Sequence, residues 1–252
     1  TGKPPGKSAA KLRLFCLSCK LIAAFVEISF FFLAYSVEKL YFCTIKILLY
    51  IGKQQIKRMI NRELIRIKVV QLTYAYYQNG NKNIDTAEKE LFFSLSKAYD
   101  LYNYLLLLIV DITREERHRI EIATQRAQRE GTEVPSQKFV YNKFAVQLEE
   151  NKMLNEFVES QKLTWADDIE FVRKLCNQIE SSEDYNEYMN AEESDYETDR
   201  ELWRKLYKLF ILNNSDLDSL LEEKSLYWND DKEVVDTFVL KTIKRFEADN
   251  KN

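Results

Sequence analysis

Residues 85–129 read DTAEKELFFSLSKAYDLYNYLLLLIVDITREERHRIEIATQRAQR, and this stretch decides the fold. It contains no glycine or proline, the two residues that most often interrupt a helix. Asp85 and Glu88 supply the polar side chains of a helix start, and the apolar run Leu105–Val110 marks a buried section. The polar, arginine-bearing part ends at Gly131, with a proline four residues later. The pattern predicts one long helix.

The sequence on either side carries the same helical period. Apolar positions recur on one side of segments 61–78, 139–161, 164 onward, 198–212 and 234–246. No segment alternates polar and apolar residues as a half-buried strand does. An apolar share of 46%, with 13% aromatic residues, is enough to build a core. The sequence therefore predicts an all-α, multi-helix bundle.

Residues 1–58 differ from the rest of the chain. They contain no methionine and are rich in Phe, Leu, Ile, Tyr, Cys and Lys. Met59 then opens a segment with a clear helical period. We interpret Met59 as the native start and the preceding residues as translated upstream sequence. A membrane-associated hairpin at 14–51 is the second interpretation, although its longest uncharged run, 28–37, falls short of the roughly 20 residues that a span needs. A secretion signal is the third.

Charge is segregated along the chain, although the net formal charge is only -3. Cationic side chains cluster between Lys53 and Lys68, whereas 180–199 is strongly acidic. We divide the chain into an anomalous apolar segment 1–58, a helical region 59–180 with a basic first helix, an acidic linker 181–197 with a short helix, and a second helical region 198–252.

The sequence lacks the residue groups that common catalytic and metal sites need. The one histidine, His118, has Glu115, Glu116, Arg117 and Arg119 around it and no nucleophile beside it. Cys16 and Cys19 have the spacing of half a zinc site, but no second pair follows. No complete phosphate-binding loop is present. These observations favour a protein that is not an enzyme, uses no cofactor or metal, and acts by binding other molecules.

A basic stripe marks the first helix past the anomalous segment. Arg58, Arg62 and Arg66 are four residues apart, so they align on one helix face within reach of successive phosphates. Tyr74 and Tyr77 extend this surface if bases stack on them. The alternative is an ordinary amphipathic helix, with a few aligned arginines outside and the tyrosines packed in the core.

The segment Met59–Tyr74, MINRELIRIKVVQLTY, resembles the opening helix of the NusB family of transcription antitermination factors. In that family an arginine-rich start precedes a Val-Gln-x-x-Tyr stretch. AEKEL at 87–91 and YDLY at 99–102 are similar to a long family form with inserted helices, and LWRKL at 202–206 with Trp228 resembles the middle helices. The family's closing Phe-x-Asn-Gly block is missing, so we expect an incomplete C-terminus.

This resemblance implies a fold and a function. The fold is an all-helical bundle of the NusB type with inserted helices, in a cytoplasmic protein without a membrane partner. The function is to bind the boxA element of ribosomal RNA leader transcripts with the ribosomal protein NusE, on the elongating RNA polymerase. Carried over to this chain, the RNA-binding residues are Arg62 and Arg66, with Lys68 and Arg58 assisting, and the packing positions are Gln71 and Tyr74.

Two alternatives of other classes stay open. The acidic, tyrosine-rich stretch Ser181–Tyr196 and the many amphipathic helices also fit a helical protein-interaction scaffold that binds no RNA. If residues 14–51 are genuine, the chain is instead a membrane-anchored helical protein.

Overall fold

The computed structural model describes residues 62–78 and 83–248, and every regular element in those two ranges is helical. The α-helices are Arg62–Gln78 (α1), Ile84–Glu130 (α2), Lys143–Glu149 (α3), Lys152–Gln161 (α4), Ile169–Glu180 (α5), Glu183–Asn190 (α6), Tyr196–Leu206 (α7), Ser215–Lys224 (α8) and Leu226–Arg245 (α9). A 3₁₀ turn lies at Ala166–Asp168, and a π-helical turn lies at Tyr207–Ile211. The predicted all-α, multi-helix bundle is confirmed for this part of the chain. The predictions for residues 1–58 lie outside the described residues.

The chain divides into two compact units, residues 1–91 and residues 92–252. The described part of the first unit holds α1 and the opening of α2. The second unit holds the rest of α2 and all of α3 to α9. The acidic stretch 181–197 therefore lies inside one unit rather than between two.

The helix α2 is continuous over 47 residues, as the sequence predicts. At its start the Asn83 side chain accepts a hydrogen bond from the Asp85 N–H at 3.0 Å, so the cap lies just before the predicted start. At its end Gly131 adopts a left-handed φ of 69°, and the Thr132 N–H donates to the Ala127 carbonyl at 3.0 Å. This geometry closes the helix at the glycine that the sequence indicates.

Three tryptophans fill the core of the second unit. Trp165, Trp203 and Trp228 are 1%, 0% and 2% exposed. The Trp165 ring stacks on Tyr104 with the ring centroids 4.2 Å apart, and its Nε1 donates to the Tyr104 carbonyl at 3.0 Å. Nε1 of Trp228 donates to the Lys97 carbonyl at 2.9 Å. Both indole groups thus attach later parts of the chain to the buried half of α2.

The segment that we predicted as one helix over 139–161 forms two helices, α3 and α4. The Asn151 side chain accepts a hydrogen bond from the Leu154 N–H at 3.0 Å and so starts a new helix. Asn142 starts α3 in the same way, by accepting from the Ala145 N–H at 3.1 Å. The break is produced by asparagine caps, and no glycine or proline marks it. The period of the apolar residues therefore does not reveal it.

The stretch 181–197, predicted to be an acidic linker with a short helix, holds the helix α6 and packs in the second unit. Its helix α6 begins at Ser182, whose hydroxyl accepts from the Tyr185 N–H at 3.3 Å, and Tyr188 is 5% exposed. The next helix, α7, begins before the predicted Thr198, because Asp195 caps it by accepting from the Thr198 N–H at 2.7 Å. The stretch packs because its tyrosines bury ring area, a contribution that net charge does not reveal.

Asp199 joins α3, α6 and α7. Its carboxylate is 1% exposed and accepts hydrogen bonds from the Lys143 N–H and from the Tyr188 hydroxyl, both at 2.7 Å. The Asn142 amide donates to the Asp199 carbonyl at 3.1 Å. The carboxylate therefore caps the start of α3, where the helix dipole favours negative charge, and satisfies two buried donors.

The helix α7 continues into a π-helical turn, in which the Leu212 N–H donates to the Tyr207 carbonyl at 2.9 Å. The Tyr207 hydroxyl donates to the buried carboxylate of Asp236 at 2.6 Å. Lys232 Nζ donates to Asp236 and to the Leu212 carbonyl, both at 2.8 Å. The buried Lys232–Asp236 pair thus fastens α9 to the end of this turn.

Within residues 62–78 and 83–248, no helix has both the length and the apolar character that crossing a membrane requires. The segment 14–51, on which the membrane-anchored alternative depends, lies outside the described residues.

Replacing Asp199 with alanine is expected to lower the free energy of unfolding of the full chain by about 2–4 kcal/mol. The reason is that the Lys143 N–H and the Tyr188 hydroxyl would stay buried without an acceptor. Urea unfolding followed by circular dichroism measures the change. Glu193→Ala is the matched control, since Glu193 is exposed nearby and should change the free energy by less than about 0.5 kcal/mol. Equal unfolding midpoints for the two variants would contradict the role assigned to Asp199.

Candidate nucleic-acid interface

The helix α1 exposes one line of side chains along its whole length. Arg62, Arg66, Val70, Tyr74 and Gln78 follow one another at intervals of four residues, and each is exposed. An α-helix rises 1.5 Å per residue, so this line, here called the α1 stripe, is about 24 Å long. Its first turns are cationic and its last turns are aromatic.

Large apolar side chains on and beside the α1 stripe face solvent. Val70, Tyr74 and Tyr77 are 69%, 66% and 54% exposed. Gln78 Nε2 donates to the Tyr74 hydroxyl at 2.7 Å, and the Tyr76 ring packs edge-on against Tyr77 with centroids 5.6 Å apart. These contacts restrict the two exposed rings before any ligand arrives, which lowers the entropy cost of binding on them.

The structure does not bring all the predicted RNA-binding residues together. Arg62 and Arg66 are exposed on the α1 stripe. Lys68 is only 3% exposed, because it comes one turn after Leu64, itself 6% exposed, on the inward side of α1. Lys68 is therefore a buried structural residue, and the prediction that it assists RNA binding is corrected. Arg58 lies outside the described residues.

Two positions expected to pack, Gln71 and Tyr74, are exposed instead. Tyr74 lies two four-residue intervals beyond Arg66, so the spacing that aligns the arginines also places this tyrosine on their face. Val70, which sequence reasoning did not single out, lies between them. The four-residue interval that aligns the arginines is therefore the sequence signal that indicates Val70 and Tyr74.

The electrostatics of α1 favour an anionic ligand. The helix carries three cationic side chains and one acidic one, Glu63, which is exposed in the first turn. Arg62 and Arg66 are about 6 Å apart along the helix axis. Guanidinium groups stay charged in proteins and form paired hydrogen bonds with phosphate oxygens or base edges. One strand of nucleic acid lying along α1 can therefore meet both arginines.

Two arginines of the second unit serve the fold instead. Arg114 Nε and Arg117 Nη2 donate to the Glu149 carboxylate at 2.8 Å and 2.9 Å. These bonds, that from Arg117 first, hold the pKa of Glu149 below its ordinary value. Arg114 also lines a cavity of about 390 Å³ with Asp111 and Trp165. The carboxylates of Asp111 and Glu149 balance the charge of Arg114, so this cavity is not a second anion site.

The described residues offer little reactive chemistry. In the two described ranges, no group of three or more His, Cys, Asp or Glu side chains is arranged to hold a metal ion. Cys176 is buried, and burial raises the pKa of its thiol to about 12. The thiol therefore stays protonated and packs rather than reacts. His118 is exposed on α2.

Comparison of the chain with protein-family models, with curated proteins and with solved structures gives no match. A functional argument therefore rests on the chain's own residues, chiefly on the α1 stripe.

Replacing Lys68 with alanine is expected to lower the free energy of unfolding by about 1–3 kcal/mol, because the change removes a buried aliphatic stem. Arg62→Ala and Arg66→Ala are the controls, and each should change it by less than about 0.5 kcal/mol, since both side chains are exposed. Thermal unfolding followed by circular dichroism ranks the three variants. A Lys68 variant as stable as the arginine variants would contradict the inward placement of Lys68.

Proposed function

We propose that this chain is an RNA-binding transcription antitermination factor of the NusB type, which holds single-stranded RNA along the α1 stripe. The observation that carries the proposal is the joint exposure of Arg62, Arg66, Tyr74 and Tyr77 on one side of α1. Cationic groups and open aromatic rings on one rigid helix are the two features that single-stranded nucleic acid requires.

The two arginines supply affinity for the backbone. Each neutralised phosphate releases counterions, so binding weakens as salt rises. Because Arg62 and Arg66 lie on successive turns of one helix, they grip neighbouring parts of one strand without rearrangement of the fold. This contribution depends little on base sequence.

The two tyrosines restrict the ligand to unpaired bases. A base that stacks on Tyr74 or Tyr77 must leave the stack of a duplex, whereas bases in a single-stranded loop or leader are already available. Stacking on an aromatic ring is worth about 1–3 kcal/mol per base. The aromatic end of α1 therefore favours single-stranded RNA over duplex RNA.

The resemblance to the NusB family supplies the finer part of the proposal. It gives the boxA element of ribosomal RNA leaders as the RNA, NusE as the protein partner, the elongating RNA polymerase as the assembly, and the cytoplasm as the location. The scaffold alternative drew on the acidic, tyrosine-rich stretch Ser181–Tyr196 together with the many amphipathic helices. Tyr188 is buried and Tyr185 packs against Phe139 with centroids 5.2 Å apart, so this observation no longer favours a scaffold.

Replacing Arg62 and Arg66 together with alanine is expected to weaken binding of a labelled single-stranded boxA-type RNA by about 10- to 100-fold near 0.1 M salt. The slope of log affinity against log salt should fall by about 1.4, because each lost phosphate contact on a single strand removes about 0.7. Fluorescence anisotropy titrations at several salt concentrations measure both quantities.

Arg126→Ala with Arg129→Ala is the matched control, because it removes the same charge from exposed positions at the end of α2. This control should keep its affinity within about twofold, a difference of less than 0.5 kcal/mol. Equal losses in both double variants would show diffuse attraction to positive charge and would contradict a site on α1. Unchanged affinity in the α1 variant would remove the proposal altogether.

Replacing Tyr74 and Tyr77 together with alanine is expected to weaken binding of the same RNA by at least about tenfold while leaving the salt slope unchanged, because stacking releases no counterions. The phenylalanine double variant keeps both ring faces and should bind nearly as wild type. Tyr141→Ala, at an exposed position in the second unit, is the control for loss of a surface ring. If the phenylalanine and alanine variants lose equal affinity, the rings do not stack on bases.

A further inference from the structure

A group of buried ionisable side chains in the second unit has no part in the proposed RNA site. Glu116 of α2 is 5% exposed, and its Oε2 is fully buried without a hydrogen-bond partner as an ionised carboxylate. Glu180, the last residue of α5, lies within side-chain hydrogen-bonding reach of it. Two ionised carboxylates offer acceptors only, so a hydrogen bond between them forms only when one holds a proton.

Two arginines lie near the pair, and neither is engaged by Glu116 alone, although the charge of Arg119 partly opposes the burial that raises the pKa of Glu116. Arg173 Nε donates to Glu115 at 3.0 Å, and Arg119 lies 3.6 Å from Glu115 and 3.5 Å from Glu180. Arg119 also donates to the Asn177 side chain at 2.8 Å, which draws its guanidinium toward α5. The carboxylates of Glu115, Glu116 and Glu180 therefore face two guanidinium groups, and the surplus negative charge lies at the buried position.

The other groups that face Glu116 supply no positive charge. Cys176 of α5 directs its thiol to the Ile112 carbonyl, with Sγ 3.7 Å from the oxygen. Tyr185 of α6 is half-buried, and burial, followed by the charges of Glu116 and Glu180, raises the pKa of its hydroxyl. Both side chains therefore remain neutral beside the pair. Glu180 also ends a helix, where the dipole disfavours an anion.

These surroundings decide how the pair responds to pH. Burial and the bond with Glu180 raise the pKa of Glu116 from 4.5 to about 8. The folded state thus binds a proton that the unfolded chain releases at lower pH. The stabilisation is fully present below the ordinary glutamate pKa and is lost as pH rises toward about 8.

We propose that Glu116 and Glu180 share one proton and form a pH-dependent contact that holds the end of α5 and the following α6 against α2. Loss of the proton leaves the buried Glu116 carboxylate beside the more exposed carboxylate of Glu180, with only Arg119, which Glu115 also engages, to offset the two charges. The corner between α5 and α6 then opens locally, and Tyr185 separates from Phe139. The acidic helix α6 is therefore closed on the core in mildly acidic solution and exchanges with an open form in alkaline solution.

Hydrogen–deuterium exchange of the full chain at pH 6 and pH 9, corrected for the intrinsic exchange rate, tests this contact. In the wild type, amides at the end of α5 and in α6 should lose protection by at least about tenfold at the higher pH, the factor that one pKa unit represents. Amides of α9 report whether the whole unit has opened, and they should keep their protection.

Glu116→Gln replaces the shared proton with a permanent amide donor and should abolish the pH dependence. Glu180→Gln removes the second carboxylate and offers an amide donor to Glu116, so it should reduce the pH dependence clearly, and the test stands even if the first variant folds poorly. Glu121→Gln, at an exposed position of α2, is the matched control and should behave as wild type. The proposal is overturned if wild type shows no pH dependence in these amides, or if the glutamine variants keep it.

Discussion

The buried carboxylate of Asp199 is the constraint on which the packing of the second unit depends. It accepts from the first N–H of α3 and from the Tyr188 hydroxyl of α6, while its own residue belongs to α7. One lysine completes the junction, since Lys138 Nζ donates to the Tyr188 and Ala191 carbonyls at 2.5 Å and 2.6 Å. An acidic stretch that would otherwise stay in solvent is thereby closed onto α3.

Buried polar groups need partners, and this rule distinguishes the cations that stabilise the fold from those of the proposed site. Arg114 and Arg117 are held by Glu149, and Lys232 is held by Asp236, so these cations stabilise helix packing. The α1 stripe is different, because its arginines, its Tyr74 and the neighbouring Tyr77 are exposed to solvent. Exposed rings leave apolar area in water, which is the usual mark of a binding surface.

The local sequence predicts the long helix α2, but it does not predict which side of α1 faces inward. α2 follows from an uninterrupted run without glycine or proline, and its end follows from the left-handed Gly131. In α1 the apolar residues spread around most of the helix, so periodicity did not show which positions face inward. Tertiary contacts decide that Lys68 is buried and Val70 exposed. The Glu116–Glu180 pair depends on how α5 docks, and no local pattern encodes it.

The π-helical turn after α7 has a consequence for the register of the chain. A π turn takes up about one residue more than an α turn. Leu206 and Ile211, five residues apart, are both buried across this turn, although in a regular α-helix five residues advance the direction by more than a third of a turn. Rewinding this turn to a regular α-helix at its present length would rotate Ile211 away from the side of Leu206, whereas deleting one residue here would restore regular geometry with both on that side. The packing of Ile211 therefore depends on the wider winding of this turn, which accommodates the extra residue.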